Sequence, residues 1–125
     1  MATVIAVVDD DIAVRESLQS LIRSVGLSVR VFASAEEFLN SGLSVKADCL
    51  VLDVRLPGMS GIELHQHLVA RKYRVPVIFI TGHGSDEHAR AEAVSDWTVA
   101  YLIKPFDEEA LLEAINKALK WQPVS

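Results

Sequence analysis

Four runs of the chain are continuously apolar and rich in β-branched residues: "TVIAVV" (Thr3 to Val8), "CLVLDV" (Cys49 to Val54), "PVIFIT" (Pro76 to Thr81) and "VAYLI" (Val99 to Ile103). None alternates between apolar and polar residues, so each asks to be buried on both faces, as strands are in a parallel sheet covered by helices. A fifth run, "SVRVF" (Ser28 to Phe32), does alternate, with Arg30 turned outward, and suits an edge strand. Helical patterns lie between the strands. Val14, Leu18, Leu21, Ile22 and Val25 follow helical spacing, and Gly26 ends that helix. Ser34 with Glu37, and Ser60 with Glu63, have the spacing of capping boxes. The last helix starts at Asp107 and carries Leu111, Leu112, Ile115 and Leu119 on one side. "SDEHARAEAV" is the weak helix, because its apolar residues are mostly alanine and bury little area. Strand and helix alternate five times in 125 residues, which predicts a doubly wound α/β sheet with right-handed crossovers.

That length suits one domain, read here as residues 1–121, with "WQPVS" at the end looking frayed and 122–125 as its tail. Half the residues are hydrophobic, enough for one core. A net charge of -5 and a pI near 5.3 argue against a partner such as nucleic acid or an anionic membrane surface, either of which wants a basic face. Cys49 is the one cysteine and sits inside an apolar run, so it reads as an inert buried thiol in a reducing compartment. "TVIAVV" is too short for a secretory signal, and no apolar stretch reaches the ~18 residues of a membrane span. A cytoplasmic protein is expected.

"VVDDDIAVRESL" then poses a problem of charge. Asp9, Asp10 and Asp11 stand together where a buried strand stops. Two unit charges ~4 Å apart repel by roughly 4 kcal/mol at an effective dielectric near 20. In open α/β sheets, ligands bind beyond the carboxyl ends of the strands, at a switch in strand order. The first strand ends at Asp9 and Asp10, the third reaches Asp53, the fourth ends at Thr81 and the fifth at Lys104. In the order 2-1-3-4-5 the first and third strands are neighbours at the switch point, so Asp9, Asp10 and Asp53 converge with a hydroxyl and an ammonium nearby. Three carboxylates make a hard-oxygen site suited to Mg²⁺. Asp11 reads instead as the N-cap of the first helix. A lone Asp after a strand is usually only a helix cap, and a lone Lys-Pro only a turn. Four strand ends carrying Asp-Asp, Asp, Thr and Lys in register are much harder to obtain by accident.

These motifs, "VVDDD", "LVLDVRLPGMSG", "VIFITGHG" and "YLIKPF" in that order, closely resemble the response-regulator receiver domain of two-component signalling across essentially the whole chain. "VFASAEEFL" and "TGHG" are similar to the receivers that precede DNA-binding domains in nitrogen-fixation and redox regulators. The resemblance implies a flavodoxin-like, five-stranded parallel sheet with five helices. It implies that Asp53 is the phosphoacceptor, loaded by a sensor histidine kinase or a phosphotransfer protein. Asp10 and Asp53 would bind Mg²⁺ (or Mn²⁺) directly, Asp9 would help through water, and the backbone carbonyl of Arg55 would add an oxygen. Lys104 would pair with Asp53 and then with the phosphoryl group, and Thr81 would shift to bond it. Tyr101 matches an aromatic switch position, and Lys104-Pro105 a peptide that is usually cis. Arg55 and His83 stand where relatives tune phosphate lifetime. The output would be a conformational change of the fourth helix, fifth strand and fifth helix, read by a downstream protein target or a homodimer. Such a protein is no turnover enzyme: it phosphorylates itself from a phosphodonor and dephosphorylates itself.

One stretch departs from the family pattern. "SDWTVAYL" lacks the Gly-Ala pair that usually precedes the last strand and is about one residue longer. Trp97 falls there and reads as a half-buried ring covering the fifth strand, ahead of a partner anchor. His65 and His67, two apart on a helix, read as structural. Two other readings compete. The chain could be the receiver portion of a longer DNA-binding transcription regulator. A Mg²⁺-dependent phosphatase with an aspartate nucleophile would need a second Asp two residues after the first, where this chain has Arg55.

Overall fold

The structure is a computed structural model that describes residues 3–82 and 87–122. Strands β1 (Val4–Val8), β2 (Ser28–Phe32), β3 (Cys49–Asp53), β4 (Val77–Thr81) and β5 (Thr98–Ile103) alternate with helices α1 (Ile12–Ser24), α2 (Ala35–Asn40), α3 (Gly61–Ala70), α4 (Glu87–Glu92) and α5 (Glu108–Leu119). A single 3-10 turn, Leu43–Val45, precedes β3. The sheet is parallel throughout, in the order β2-β1-β3-β4-β5. The strands expected from the sequence are all present, each within a residue of its expected bounds, and β2 lies at an edge with Arg30 exposed.

Successive strand residues point to opposite faces, and that alternation builds two cores. Ala6, Val8, Leu50, Leu52, Val77 and Phe79 pack beneath Phe38 of α2 and Leu64 and Leu68 of α3. Ile5, Val7, Val51, Ile78 and Ile80 meet Leu18 and Ile22 of α1 and Leu111 and Ile115 of α5. Cys49 lies in this second core, where burial, helped by the charge of Asp48, pushes its thiol up to about 12. Asp11 caps α1 by accepting from the Ala13 N–H, Ser34 caps α2, and Ser60 and Glu63 form the full capping box of α3. Two helix faces differ from expectation. Val25 is the exposed C-cap of α1 and not part of its buried face. On α5, Leu119 is partly exposed, while Ala114 and Ala118 are buried in the second core, where alanines fill the contact with the sheet.

The stretch that departs from the family pattern has its own construction. Val77 pairs with Thr98 but Ile78 with Ala100, so Val99 is an extra residue taken up as a bulge at the start of β5. Ser95 accepts from the Trp97 N–H at 3.1 Å and bonds Nε2 of the buried His65 at 2.7 Å, while Thr98 Oγ1 donates to the Ala93 carbonyl. His65 therefore ties α3 to the turn that closes α4. Trp97 is half-buried and lines a small groove with Val69, Tyr73 and Arg74 at the far end of α3. Trp121 is docked, its indole donating to the Asp96 carbonyl at 2.7 Å, so the chain is held one residue into the run that read as frayed.

Candidate phosphoryl-acceptor site

The sheet ladder continues one residue past three strands and fixes the backbone of the site. Asp9 N–H donates to the Phe32 carbonyl (3.0 Å), Val54 N–H to Ile80 (2.9 Å) and Lys104 N–H to Thr81 (2.7 Å). The side chains of Asp9, Asp10 and Asp53 converge at this end, with ligand oxygens all within 4.8 Å of one another. Asp9, Asp53 and Thr81 are buried, while Asp10 faces solvent. The two hidden carboxylates share Lys104, and each also has a backbone donor. Asp9 accepts from the Asp11 N–H (2.9 Å) and from Lys104 Nζ (2.9 Å). Asp53 accepts from the Arg55 N–H (3.0 Å) and, more loosely, from Lys104 Nζ (3.4 Å). Lys104 thus reaches Asp53, as the resemblance implied, but holds Asp9 more closely. Arg15 reaches back from α1 to donate to the Asp9 carbonyl at 2.8 Å.

These contacts set the charge states. Burial pushes the Asp53 carboxyl up to about 6, and the charge of Asp9 adds to this, with only partial relief from the Arg55 N–H and Lys104. Burial alone would pull the Lys104 ammonium down, but its hydrogen bond to Asp9 and the charges of Asp53 and Asp9 hold it above its ordinary value. Three carboxylates and one ammonium leave the cluster two negative charges in excess. Hard oxygens, that excess and one solvent-facing ligand fit a divalent cation of the Mg²⁺ type, which keeps several waters.

The structure brings together Asp9, Asp10, Asp53, Thr81 and Lys104, and the Lys104-Pro105 peptide is cis. Tyr101 lies one strand residue pair inward, its ring 6.2 Å from that of Phe79 and beneath the Arg90 guanidinium at 5.2 Å. His83 lies outside the described residues. Beside Lys104, between α1 and the turn into α5, a groove of about 490 Å³ is lined by Val14, Leu18, Leu21, Pro105 and Phe106.

Two residues escaped the sequence reading. Gly61, the first residue of α3, packs so tightly on β3 that a Cβ there would lie 2.0 Å from the Asp53 carbonyl oxygen. Its signal was present, since glycine in a helix costs ~1 kcal/mol relative to alanine and needs a reason. Glu36, on α2, accepts from the Met59 N–H at 3.0 Å in the loop after Asp53. A link across 23 residues leaves no local sequence signal.

A family model described as "Response regulator receiver domain" matches residues 5–116. The response regulator protein TodT of Pseudomonas putida is 48% identical over 122 residues, which cover 98% of this chain and 53% of TodT. The transcriptional regulatory protein FixJ of Azorhizobium caulinodans is 45% identical over 113 residues, covering 90% of this chain and 53% of FixJ. The crystal structure of FixJ-N superposes with a TM-score of 0.86 at 35% identity, covering 100% of this chain and 99% of that one. The chain spans about half the length of the curated relatives it matches. With the sheet order, the acidic cluster and these similarities in agreement, the chain belongs to the response regulator receiver domains, the phosphorylation-controlled switches of two-component signalling.

Proposed function

We propose that Asp53 accepts a phosphoryl group from a histidine kinase or phosphotransfer protein, with Mg²⁺ or Mn²⁺ held by Asp10, Asp53 and the Arg55 carbonyl and by Asp9 through water. The observation that carries this is the convergence of the three carboxylates on one end of the sheet with Lys104 spanning two of them. Phosphoryl transfer asks a protein mainly to position groups and neutralise charge. A carboxylate oxygen of Asp53 forms a bond to phosphorus as the donor's P–N bond breaks, and the leaving imidazole takes a proton. The cation, when bound, supplies the positive charge that lets two anions approach. Lys104 sits where its ammonium can leave Asp53, its looser partner, for a phosphoryl oxygen while keeping Asp9. Thr81, whose carbonyl accepts from the Lys104 N–H, would supply its hydroxyl to the phosphoryl oxygens. Arg55, exposed and two residues after Asp53, would with His83 govern how water reaches the phosphoryl group.

Output follows from the new partners of Thr81 and Lys104. Thr81 ends the strand that carries Phe79 and Lys104 follows the strand that carries Tyr101, so a shift there reaches Tyr101, Arg90 and α4. The exposed Val94 and Ile103 lie on this side, which supports α4, β5 and α5 as the surface read by a protein target or a second copy. The share of the relatives that this chain spans favours a further reading, in which it is the receiver of a longer transcription regulator. Acetyl phosphate tests the chemistry. With Mg²⁺ the chain gains the mass of one phosphoryl group, and with chelator, or as Asp53→Asn, it gains none. Sustained release of phosphate over many turnovers without a phosphoprotein would instead indicate a phosphatase.

A further inference from the structure

We propose that Glu36 of α2 is a positioning residue for the cation site: it fastens the β3–α3 loop from a separate element and so holds the Arg55 carbonyl in place. This rests on the reading of Asp53 as a Mg²⁺-dependent acceptor. The loop runs from Val54 to Ser60 between the acceptor and α3. Its near end is fixed by the Arg55 N–H on Asp53 (3.0 Å) and its far end by the Gly61 N–H on the Val54 carbonyl (3.0 Å) and the Ser60–Glu63 box. The turn at Gly58 and Met59, just before Ser60, is held from outside. Met59 N–H donates to Glu36 Oε2 at 3.0 Å, and the same oxygen would lie 2.8 Å from a Cβ on Gly58. Gly58 has φ +73°, so the loop turns through a left-handed conformation at the point where the carboxylate presses against it. Glycine serves twice at position 58, once for the turn and once for the space that Glu36 fills.

The carboxylate is well suited to this task. The Met59 N–H holds Glu36 below the ordinary carboxylate range, so the bond is charge-assisted throughout the neutral range. Glu37 is occupied elsewhere, accepting from the Ala33 N–H at 2.7 Å, so the two adjacent acids of "SAEEFL" have separate duties: one closes the start of α2, the other reaches across to the loop. Loss of a group that orients a metal's direct ligands typically costs about 10–100-fold in metal affinity.

The test compares Glu36→Ala and Glu36→Gln in the 125-residue chain. Mg²⁺ affinity is read by calorimetric titration and Met59 amide exchange by NMR without metal. Glu36→Ala is expected to weaken Mg²⁺ binding about tenfold, the lower end for such outer-layer groups, because Glu36 is exposed. The Met59 amide then exchanges faster. Glu36→Gln keeps an oxygen for the Met59 N–H and is expected to stay within about twofold of the unmutated chain. Unchanged Mg²⁺ affinity in Glu36→Ala, even with a lower Tm, would overturn the inference, since the contact would then serve stability alone. Equal losses in both variants would also overturn it, because the cause would be charge and not the acceptor. If the unmutated chain neither binds Mg²⁺ nor takes a phosphoryl group on Asp53, the reading beneath the inference fails, and this is seen before any variant is compared.

Discussion

Asp53 is held between burial, which favours its proton, and a nucleophilic role, which needs its charge. Its carboxyl is raised from 3.8 to about 6, so the folded state binds the proton more tightly than the unfolded state does. The contribution to stability is therefore complete below about pH 4 and is lost as pH rises through 6. Each pKa unit corresponds to about 1.4 kcal/mol, and discounting for solvent near the carboxylate leaves ~1–2 kcal/mol. Thermal melts without divalent cation should show Asp53→Asn more stable than the unmutated chain at pH 7.5, with the gap closing at pH 4. Gly61 makes the opposite prediction. A methyl group against the Asp53 carbonyl overpacks the site, so Gly61→Ala should cost about 1–3 kcal/mol in melts and slow phosphorylation by displacing Asp53. That the acids and Lys104 would meet could be read from where apolar runs end. That Lys104 prefers Asp9 could not, because the choice depends on a half-ångström difference in side-chain reach.

Among the elements, the β4-to-β5 connection shows how this chain replaces a glycine-based turn. Ser95 and Thr98, partly buried, form a polar knot with the buried His65, and the His65 ring stacks edge-on against Phe79 at 5.1 Å. His65 Nδ1 has no hydrogen-bond partner among the described residues, and burial holds the imidazole below its ordinary 6.5. The unfolded chain therefore takes up the proton first, so the stability His65 provides is present above pH 6.5 and is lost as pH falls below it. His65→Ala leaves the Ser95 hydroxyl without this partner and opens a cavity, which should cost about 2–3 kcal/mol at pH 7.5, with a smaller loss at pH 5.5. Equal losses at both pH values would show that the ring is not held neutral. His65 read as structural from its spacing alone, and its burial agrees. Its partner was hidden, because the bulge at Val99 depends on the pairing of β5 with β4 and the turn at Ser95 on a contact with a residue 30 positions away. The strands were legible because burial on both faces forbids polar residues. The buried face of α5 was less so, since alanine reads as neutral until the packing distance is known.

For the molecule as a whole, one end of the sheet is a concentrated site of negative charge whose relief is linked to folding. A cation that binds only the folded chain stabilises it by mass action, by about 2.7 kcal/mol at a hundredfold excess over its dissociation constant. Mg²⁺ should thus raise the Tm of the unmutated chain, and Asp10→Asn, which removes the solvent-facing ligand, should lose most of that rise. No helix of the described residues is long and apolar enough to cross a membrane. The central claim is that these strand ends exist to load Asp53, and locating the phosphoryl group tests it most directly. The chain is treated with acetyl phosphate and Mg²⁺, reduced with borohydride, digested, and sequenced by mass spectrometry. Homoserine in place of Asp53, and at no other aspartate, is the predicted result. Homoserine at Asp9, Asp10 or Asp11, or none after a mass gain has been recorded, would contradict the account.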